Sequence, residues 1–559
     1  LMRARSNPVI FCLLLLAVWS RPTSGGDPKR WADFADGIAA DAIRRHTVVL
    51  GGDALEGRAP GTRGGRLAAA YVAAELEKLG VEPLGDDGSF FQRVPLVGSA
   101  PLADSRLTLT GFGESRTLAL GEDYLLHTTG AQTWVARPTP LVFVGYGIVA
   151  PEFDYNDYAD VDVRGKAVVF LAGEPESSDE EYFAGDEPTV YSAVESKVRI
   201  ALSRGAVASV LIPVEPADGG AMWTRLQREY AFEHLGLASS VPSHLAILLR
   251  PEIGRTLFDE ALFDFEQVAS MAQRQVLRSF HLPVSLSFEG DFRVRSFLAA
   301  NVVGRIPGSG KRLGREAVVV SAHLDHLGRG PAVQGDSIYN GVIDNAIGSA
   351  GLLELVRVVQ DAPARPRRSI IVLFTTAEEQ GNLGARYFLE HPPVPLSRMV
   401  ANVNIDGLAF HDTFADVVGI GAELSDLGRH LRRAADARHL EVSRPVDLAI
   451  GHEAFERSEQ AVFADAGIPA ILVNESLGWR HYSHSEALQM ITQWFTTRYH
   501  SPFDDLSQEI DYRASREHLA LITTLVLVVA DADLPPEWKP GVPYAYRRLL
   551  TLAEEAGQR

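Results

Sequence analysis

The sequence predicts an α/β fold: a mixed, mostly parallel sheet covered by helices on both faces, with a mostly-β block inserted ahead of it. Three observations predict this. From about residue 300, continuous apolar runs at 317–321, 370–375 and 400–405 alternate with helical patterns at 348–359 and 383–389. Strands with no polar alternation are buried on both faces, which requires helices on both sides of the sheet. Between 105 and 292 the texture is different: short β-like runs separated by Gly, Pro and Asp turns. Finally, 559 residues are too many for one ordinary core, and the length suggests roughly two to four domains.

Taken in order, residues 1–25 have the pattern of an export signal. Arg3 and Arg5 precede an apolar run at 9–19, and Ser20, Thr23, Ser24, Gly25 and Gly26 follow it. The run is too short to span a bilayer comfortably. The reading is an exported protein, periplasmic or extracellular, with no stable membrane insertion after cleavage. Cys12, the only cysteine, lies inside that run. The mature chain is then expected to have no disulfide, no thiolate metal site and no cysteine nucleophile. Any metal must be held by histidines and carboxylates.

Residues 27–104 read as the N-terminal part of the main domain. Leu67, Ala70, Tyr71, Ala74, Leu76 and Leu79 recur at near-helical spacing and are expected to face a core. The Gly-, Arg- and Pro-rich stretch 53–65 reads as a loop. Residues 105–292 form the inserted block, with strands at 107–110, 141–144, 167–171 and 207–212 and a helix at 196–205. No cluster of histidines and acids with ligand character occurs there. Residues 293–545 form the chemical domain, which ends in a long apolar helix near 518–530, and 546–559 read as a tail. The formal net charge of −19 argues against a polyanionic partner, because nucleic-acid binding needs a basic footprint.

Three strands run into acids or histidines: His323-Leu324-Asp325-His326, Glu378-Glu379 and Asp406-Gly407. Sites in open α/β sheets form beyond the carboxyl ends of the strands. Any one of these ends alone carries little weight, since an Asp-Gly is ordinarily a turn and a Glu-Glu a solvated face. Their conjunction points to metal. Asp344, just before the helix at 348, and His500, in a polar loop, complete the set. In isolation Asp344 reads as a helix cap and His500 as a surface histidine. Together His323, Asp344, Glu379, Asp406 and His500 contribute three negative charges. Two divalent ions and a shared hydroxide balance that charge, whereas one zinc leaves the carboxylates in mutual repulsion. Zinc suits this donor set, and cobalt or manganese are possible substitutes.

These residues resemble the two-zinc aminopeptidase family that includes bacterial leucyl aminopeptidase and glutamate carboxypeptidase. The matching pieces are Ser321-Ala322-His323-Leu324-Asp325-His326-Leu327-Gly328, Asp344-Asn345-Ala346, Glu378-Glu379, Asn404-Ile405-Asp406-Gly407 and Tyr499-His500-Ser501-Pro502. The resemblance implies the zinc exopeptidase fold, peptide substrates and two Zn²⁺. One ion would take His323, Asp344 and Asp406, and the other Asp344, Glu379 and His500. Glu378 would be the unligated general base, and Asp325 would orient His323 as an acceptor. A cis peptide is implied at Asp344–Asn345. The inserted block is similar to a protease-associated domain, through Gly145-Tyr146-Gly147 and Asp162-Val163-Arg164-Gly165-Lys166. Such a domain has no catalytic role of its own and shapes substrate access. Where the family commonly has Ser-Asp-His, this chain has Ser458-Glu459-Gln460.

The expected activity is therefore that of an exported zinc aminopeptidase. One rival is a carboxypeptidase acting on acidic C-termini, with Arg480 or Arg498 supplying a basic pocket. Another is an inactive relative serving as a binding scaffold, although such relatives typically lose ligands and all are present here. A one-zinc glutaminyl cyclase is a weaker third. His452-Glu453 lacks the second histidine of a zinc HExxH motif, and His481 and His484 read as loop histidines.

Overall fold

The computed structural model describes residues 27–557, apart from 112, 129–133, 178, 180–181, 184, 186–188, 190, 214–220, 241–243, 444–454 and 456–457. The expected export segment, with Cys12, lies outside the described residues, as does most of the His452-Glu453 motif.

The main sheet is built from β1 (Phe91–Pro101), β2 (His234–Leu237), β3 (Phe292–Ile306), β4 (Ala317–His323), β5 (Ser369–Thr375), β6 (Met399–Asn404), β7 (Asp416–Ile420), β8 (Glu441–Val442) and β9 (Ala470–Glu475). Their order across the sheet is β2-β1-β3-β5-β4-β6-β9-β7-β8, and Glu82–Pro83 adds a short strand against β3. The expected mixed sheet is present. Its parallel part is the centre, β5-β4-β6-β9. Antiparallel pairings extend it on one side through β3, β1 and β2 and on the other through β7.

The helices that position the site are α1 (Arg63–Lys78), α2 (Ala221–Glu229), α3 (Ile347–Gln360), α4 (Leu383–Glu390) and α5 (Tyr512–Ala530). Every residue of β4, β5 and β6 is buried, as their unbroken apolar runs require. Alternate side chains serve opposite faces. Val318, Val320 and Ala322 pack with Ile347, Leu355 and Leu525 from α3 and α5, whereas Val319 packs with Phe388 of α4 and with Phe463. Residues 519–530 of α5 are buried without exception, so this helix is the spine of one face. Among the described residues, no helix is long and apolar enough to cross a membrane.

The helix expected over 67–79 is present as α1, which starts at Arg63 inside the expected loop, but its buried face is displaced. Ala68, Ala69, Val72, Ala73 and Leu76 form the stripe, while Leu67 is 40% exposed. An alanine-rich helix offers two candidate faces, and only tertiary packing selects one.

The inserted block forms its own eight-stranded sheet, ordered Glu114–Leu118, Arg106–Gly111, Phe280–Glu289, Trp134–Phe143, Ala167–Leu171, Ala208–Ile212, Leu245–Leu249, Tyr124–Thr128. It has a separate apolar core centred on Phe143, Val169, Val210, Ile247 and Phe288. Its boundaries are less simple than 105–292. Strand β2 lies inside that span yet pairs with β1 of the main sheet, His234 against Ser99 through Leu237 against Leu96. The segment after α2 thus returns to the main domain before the chain re-enters the insert. At the far end, 546–559 is no loose tail, because the helix Tyr544–Gly557 covers most of it.

Candidate metal centre

The carboxyl ends of β4, β5 and β6 lie side by side at one edge of the sheet. His323 ends β4, and Leu324, Asp325 and His326 bend away from it. After β5 the chain turns at Ala377, whose φ of 58° is in the left-handed region, and this turn presents Glu378 and Glu379 at the edge. After β6, Ile405 leads to Asp406, and Gly407 at φ 79° reverses the chain. Asp344 arrives from the loop ahead of α3. The helix begins at Ile347, so Asp344 is not its cap. The Asp344–Asn345 peptide bond is cis, as the resemblance implies.

His500 completes the cluster from a loop at φ 51°, with Tyr499 stacked on its ring at 3.9 Å between centroids. The two oxygens of Asp344 face opposite ways. Oδ1 lies 3.1 Å from Nε2 of His323, and Oδ2 lies 3.3 Å from Nε2 of His500. On one side Asp406 Oδ1 is 3.3 Å from the same His323 nitrogen. On the other Glu379 Oε2 is 3.0 Å from the same His500 nitrogen. Two ligand sets therefore share one carboxylate. Potential ligand atoms of His323, Asp344 and Asp406 lie within 4.8 Å of one another, as do those of His326, Asp344 and Glu379 and those of His323, Glu378 and Glu379.

The donor chemistry fits cations. Both ring nitrogens of His500 and Nε2 of His326 are buried without a hydrogen-bond partner. Buried polar atoms are rarely left so, and a bound cation would account for Nε2 of His500, the nitrogen that faces Asp344 and Glu379. Histidine nitrogens with carboxylate oxygens are the ligand types of zinc.

Electrostatics describe the same demand for positive charge. Burial alone lowers the pKa of His323, but Glu378, Asp344 and Asp406 reverse this and raise it well above its ordinary value. His500 behaves likewise, with Glu379 and Asp344 overcoming burial. Burial raises Glu378 well above the usual carboxylate range, against the opposing pull of His323. Burial and Asp344 act to raise Glu379, yet His500 and His326 hold it at about 2.

Several buried residues hold the ligands. Asp504 accepts the main-chain N–H groups of Ile343 and Asp344 at 3.0 and 3.1 Å, tying the His500 loop to the Asp344 loop. Ser458 donates to Asp406 Oδ2 at 2.6 Å. Asn345 donates through Nδ2 to the carbonyl of Ile405 and accepts the N–H of Gly407, bracketing Asp406 from both sides. A Cβ at Gly348 would fall 1.9 Å from Asn345 Oδ1. Gly348→Ala is thus expected to displace Asn345 and cost about 1–3 kcal/mol, as overpacking does. Denaturant titration checks the loss, and an unchanged midpoint would contradict the fit.

Residues 301–526 match the sequence profile of Peptidase family M28. The chain carries a family M28 peptidase domain. Carboxypeptidase Q of Mus musculus is 24% identical over 347 residues, 62% of each chain. A vacuolar membrane protease of Sclerotinia sclerotiorum is 34% identical over 89 residues, 16% of this chain and 7% of that protein. This chain thus matches under two thirds of the length of either relative. Among solved structures, the aminopeptidase from Aneurinibacillus sp. strain AM-1 aligns with a TM-score of 0.53 and 17% identity, over 90% of this chain and 96% of that one. At that identity the likeness is one of fold.

The M28 domain brings His323, Asp344, Glu378, Glu379, Asp406 and His500 together at one rim. Asp325 stands differently from the expectation. Nδ1 of His323 lies 3.2 Å from the main-chain carbonyl of Asp325, while the carboxylate accepts the N–H of Glu378 at 3.2 Å. The bend after β4 turns the carbonyl, rather than the side chain, toward the imidazole. His481 is paired with Asp412 at 2.7 Å on an exposed loop. Sequence reasoning passed over His326, although its number stood in the motif. Its Nδ1 lies 2.5 Å from Glu379 Oε1, and its side chain is wholly buried. Arg58 and Asp504 were also missed.

Proposed function

We propose that the M28 domain is a two-zinc exopeptidase that removes residues from the amino end of peptides, with Glu378 as general base. One observation carries this reading: the carboxylate of Asp344 faces His323 on one side and His500 on the other, with Glu378 close beside His323 and Glu379. His323, Asp344 and Asp406 would hold one ion, and Asp344, Glu379 and His500 the other. When bound, zinc supplies Lewis acidity that polarises a peptide carbonyl and brings the pKa of a water toward neutrality. Glu378 takes the proton of the attacking water on its carboxylate and returns it to the leaving amine. Its main-chain N–H is fixed by Asp325, so the carboxylate approaches from a defined direction.

The free amino terminus is preferred over a free carboxylate because the two arginines expected to supply a basic pocket are otherwise placed. Arg498 donates to the carbonyl of Phe503, and Arg480 is exposed. The carboxypeptidase reading has one feature in its favour besides its relative's name: Nε of Arg228 is buried without a hydrogen-bond partner. We propose further that the protein is exported, from the pattern of residues 1–25, and that the inserted sheet is a protease-associated domain governing access.

The test is hydrolysis of amino-acid anilides before and after chelation, with zinc added back. Activity should vanish on chelation and return with zinc. Turnover only of peptides with a free acidic C-terminus would replace the aminopeptidase reading by its rival. No turnover in the zinc-loaded protein would favour a binding scaffold.

A further inference from the structure

The excursion α2–β2 leaves the inserted sheet and reaches the metal centre at several points. Strand β2 is paired with β1, and the N–H of Leu235 donates to Oε1 of Gln380, the residue after the Glu378-Glu379 pair, at 3.3 Å. Phe232 packs edge-on against Tyr339 at 4.9 Å, beside the loop that leads to Asp344. Glu233 makes a two-pronged ion pair with Arg295 of β3, the shortest contact 2.5 Å. Each of these contacts restrains the chain immediately after α2.

The last residue of α2 is Glu229. Its Oε1 lies 3.9 Å from Nδ1 of His500, the nitrogen turned away from Asp344 and Glu379. That Nδ1 is buried and has no hydrogen-bond partner. A histidine that binds metal through one nitrogen donates the other N–H to an acceptor, and a carboxylate is a common one. The gap exceeds a hydrogen bond by only ~1 Å, within reach of a side-chain rotation in Glu229. The Glu229 side chain is 32% exposed, so it is free to make that adjustment at the rim.

We infer that Glu229 is a positioning residue for His500, and that the inserted domain thereby completes the metal centre of the M28 domain. The inference rests on the two-zinc reading above. It gives the insert a role that shielding alone does not: α2 supplies the acceptor that fixes the tautomer and ring orientation of a ligand on the other domain. Only the ion that His500 holds should depend on it, because His323 and Asp406 are served by Asp325 and Ser458.

The experiment is zinc competition with a graded set of chelators on the full chain, for wild type, Glu229→Ala and Glu229→Gln, with melting of the zinc-free proteins alongside. Expected is a loss of about ten- to a hundred-fold in affinity for one of the two ions in Glu229→Ala, with the other ion held as in wild type. Glu229→Gln keeps an acceptor oxygen and should recover part of that loss. Zinc-free wild type and Glu229→Ala should melt alike. Wild-type affinity for both ions in Glu229→Ala overturns the inference, and so does a lower melting point in its zinc-free form, which would make Glu229 a packing residue. A wild-type protein that binds no zinc removes the two-zinc reading and this inference together.

Discussion

Glu378→Gln is expected to keep both zinc ions and the fold and to lose about 10²- to 10⁴-fold in kcat, the range that general acid–base catalysis contributes. The substitution preserves shape and the main-chain N–H bond to Asp325, so the turn after β5 has no reason to move. What it removes is an oxygen that can take a proton. The proposed ligand sets His323, Asp344, Asp406 and Asp344, Glu379, His500 leave Glu378 out, so metal content should stay at the wild-type level. KM should change little, because a group that acts on the proton in the transition state contributes little to ground-state binding. Anilide kinetics together with metal analysis check this. A variant that keeps wild-type turnover would remove Glu378 from the base position, and one that loses a metal would make it a ligand instead.

The parts of the domain that could be read from the sequence share one property: local pattern and final environment agree. β4, β5 and β6 are runs of apolar residues that emerge buried on both faces, and their ends deliver His323, Glu378-Glu379 and Asp406 to the edge that parallel strands create. What could not be read was set by packing between distant segments. The stripe of α1 is decided by the helices it meets, not by its own alanine-rich sequence. Strand β2 is four residues long, and its place in the main sheet depends on β1 far earlier in the chain. The link between Glu229 and His500 spans two folded units, so no local spacing signals it. His326 was visible within a motif but lacked a role until Glu379 was seen beside it. Ser458, at a point where the chain departs from the family pattern, is shown by its contact with Asp406 to keep a supporting position.

Arg58→Met is expected to cost about 3–5 kcal/mol in unfolding of the M28 domain, as losing a partnered buried charge does, and to weaken zinc binding as well. Arg58 lies in the stretch that reads as a loop, at φ 54°, yet it is 1% exposed. Its guanidinium donates to four carbonyl oxygens: Leu324 at 2.8 Å, Leu50 at 2.8 Å, Asn340 at 2.6 Å and Gly341 at 2.9 Å. Two of the chain segments it joins carry ligands, since Leu324 follows His323 and Gly341 leads to Asp344. Burial lowers its pKa to about 10, with Asp325, Asp504, Asp344 and Glu379 opposing, so it stays charged at neutral pH. Removing the guanidinium leaves the buried carbonyls of Leu324, Leu50 and Asn340 unpaired, each at roughly 1–3 kcal/mol before relaxation, while that of Gly341 keeps the N–H of Ala346. It also removes a cation from beneath a cluster of carboxylates. Arg58→Lys should recover only part of the loss, because an ammonium cannot span carbonyls that a planar fork reaches together. Denaturant midpoints and chelator competition measure the two effects. An Arg58→Met protein within about 1 kcal/mol of wild type, a scale at which ordinary substitutions fall, would show that the loops hold their register without it.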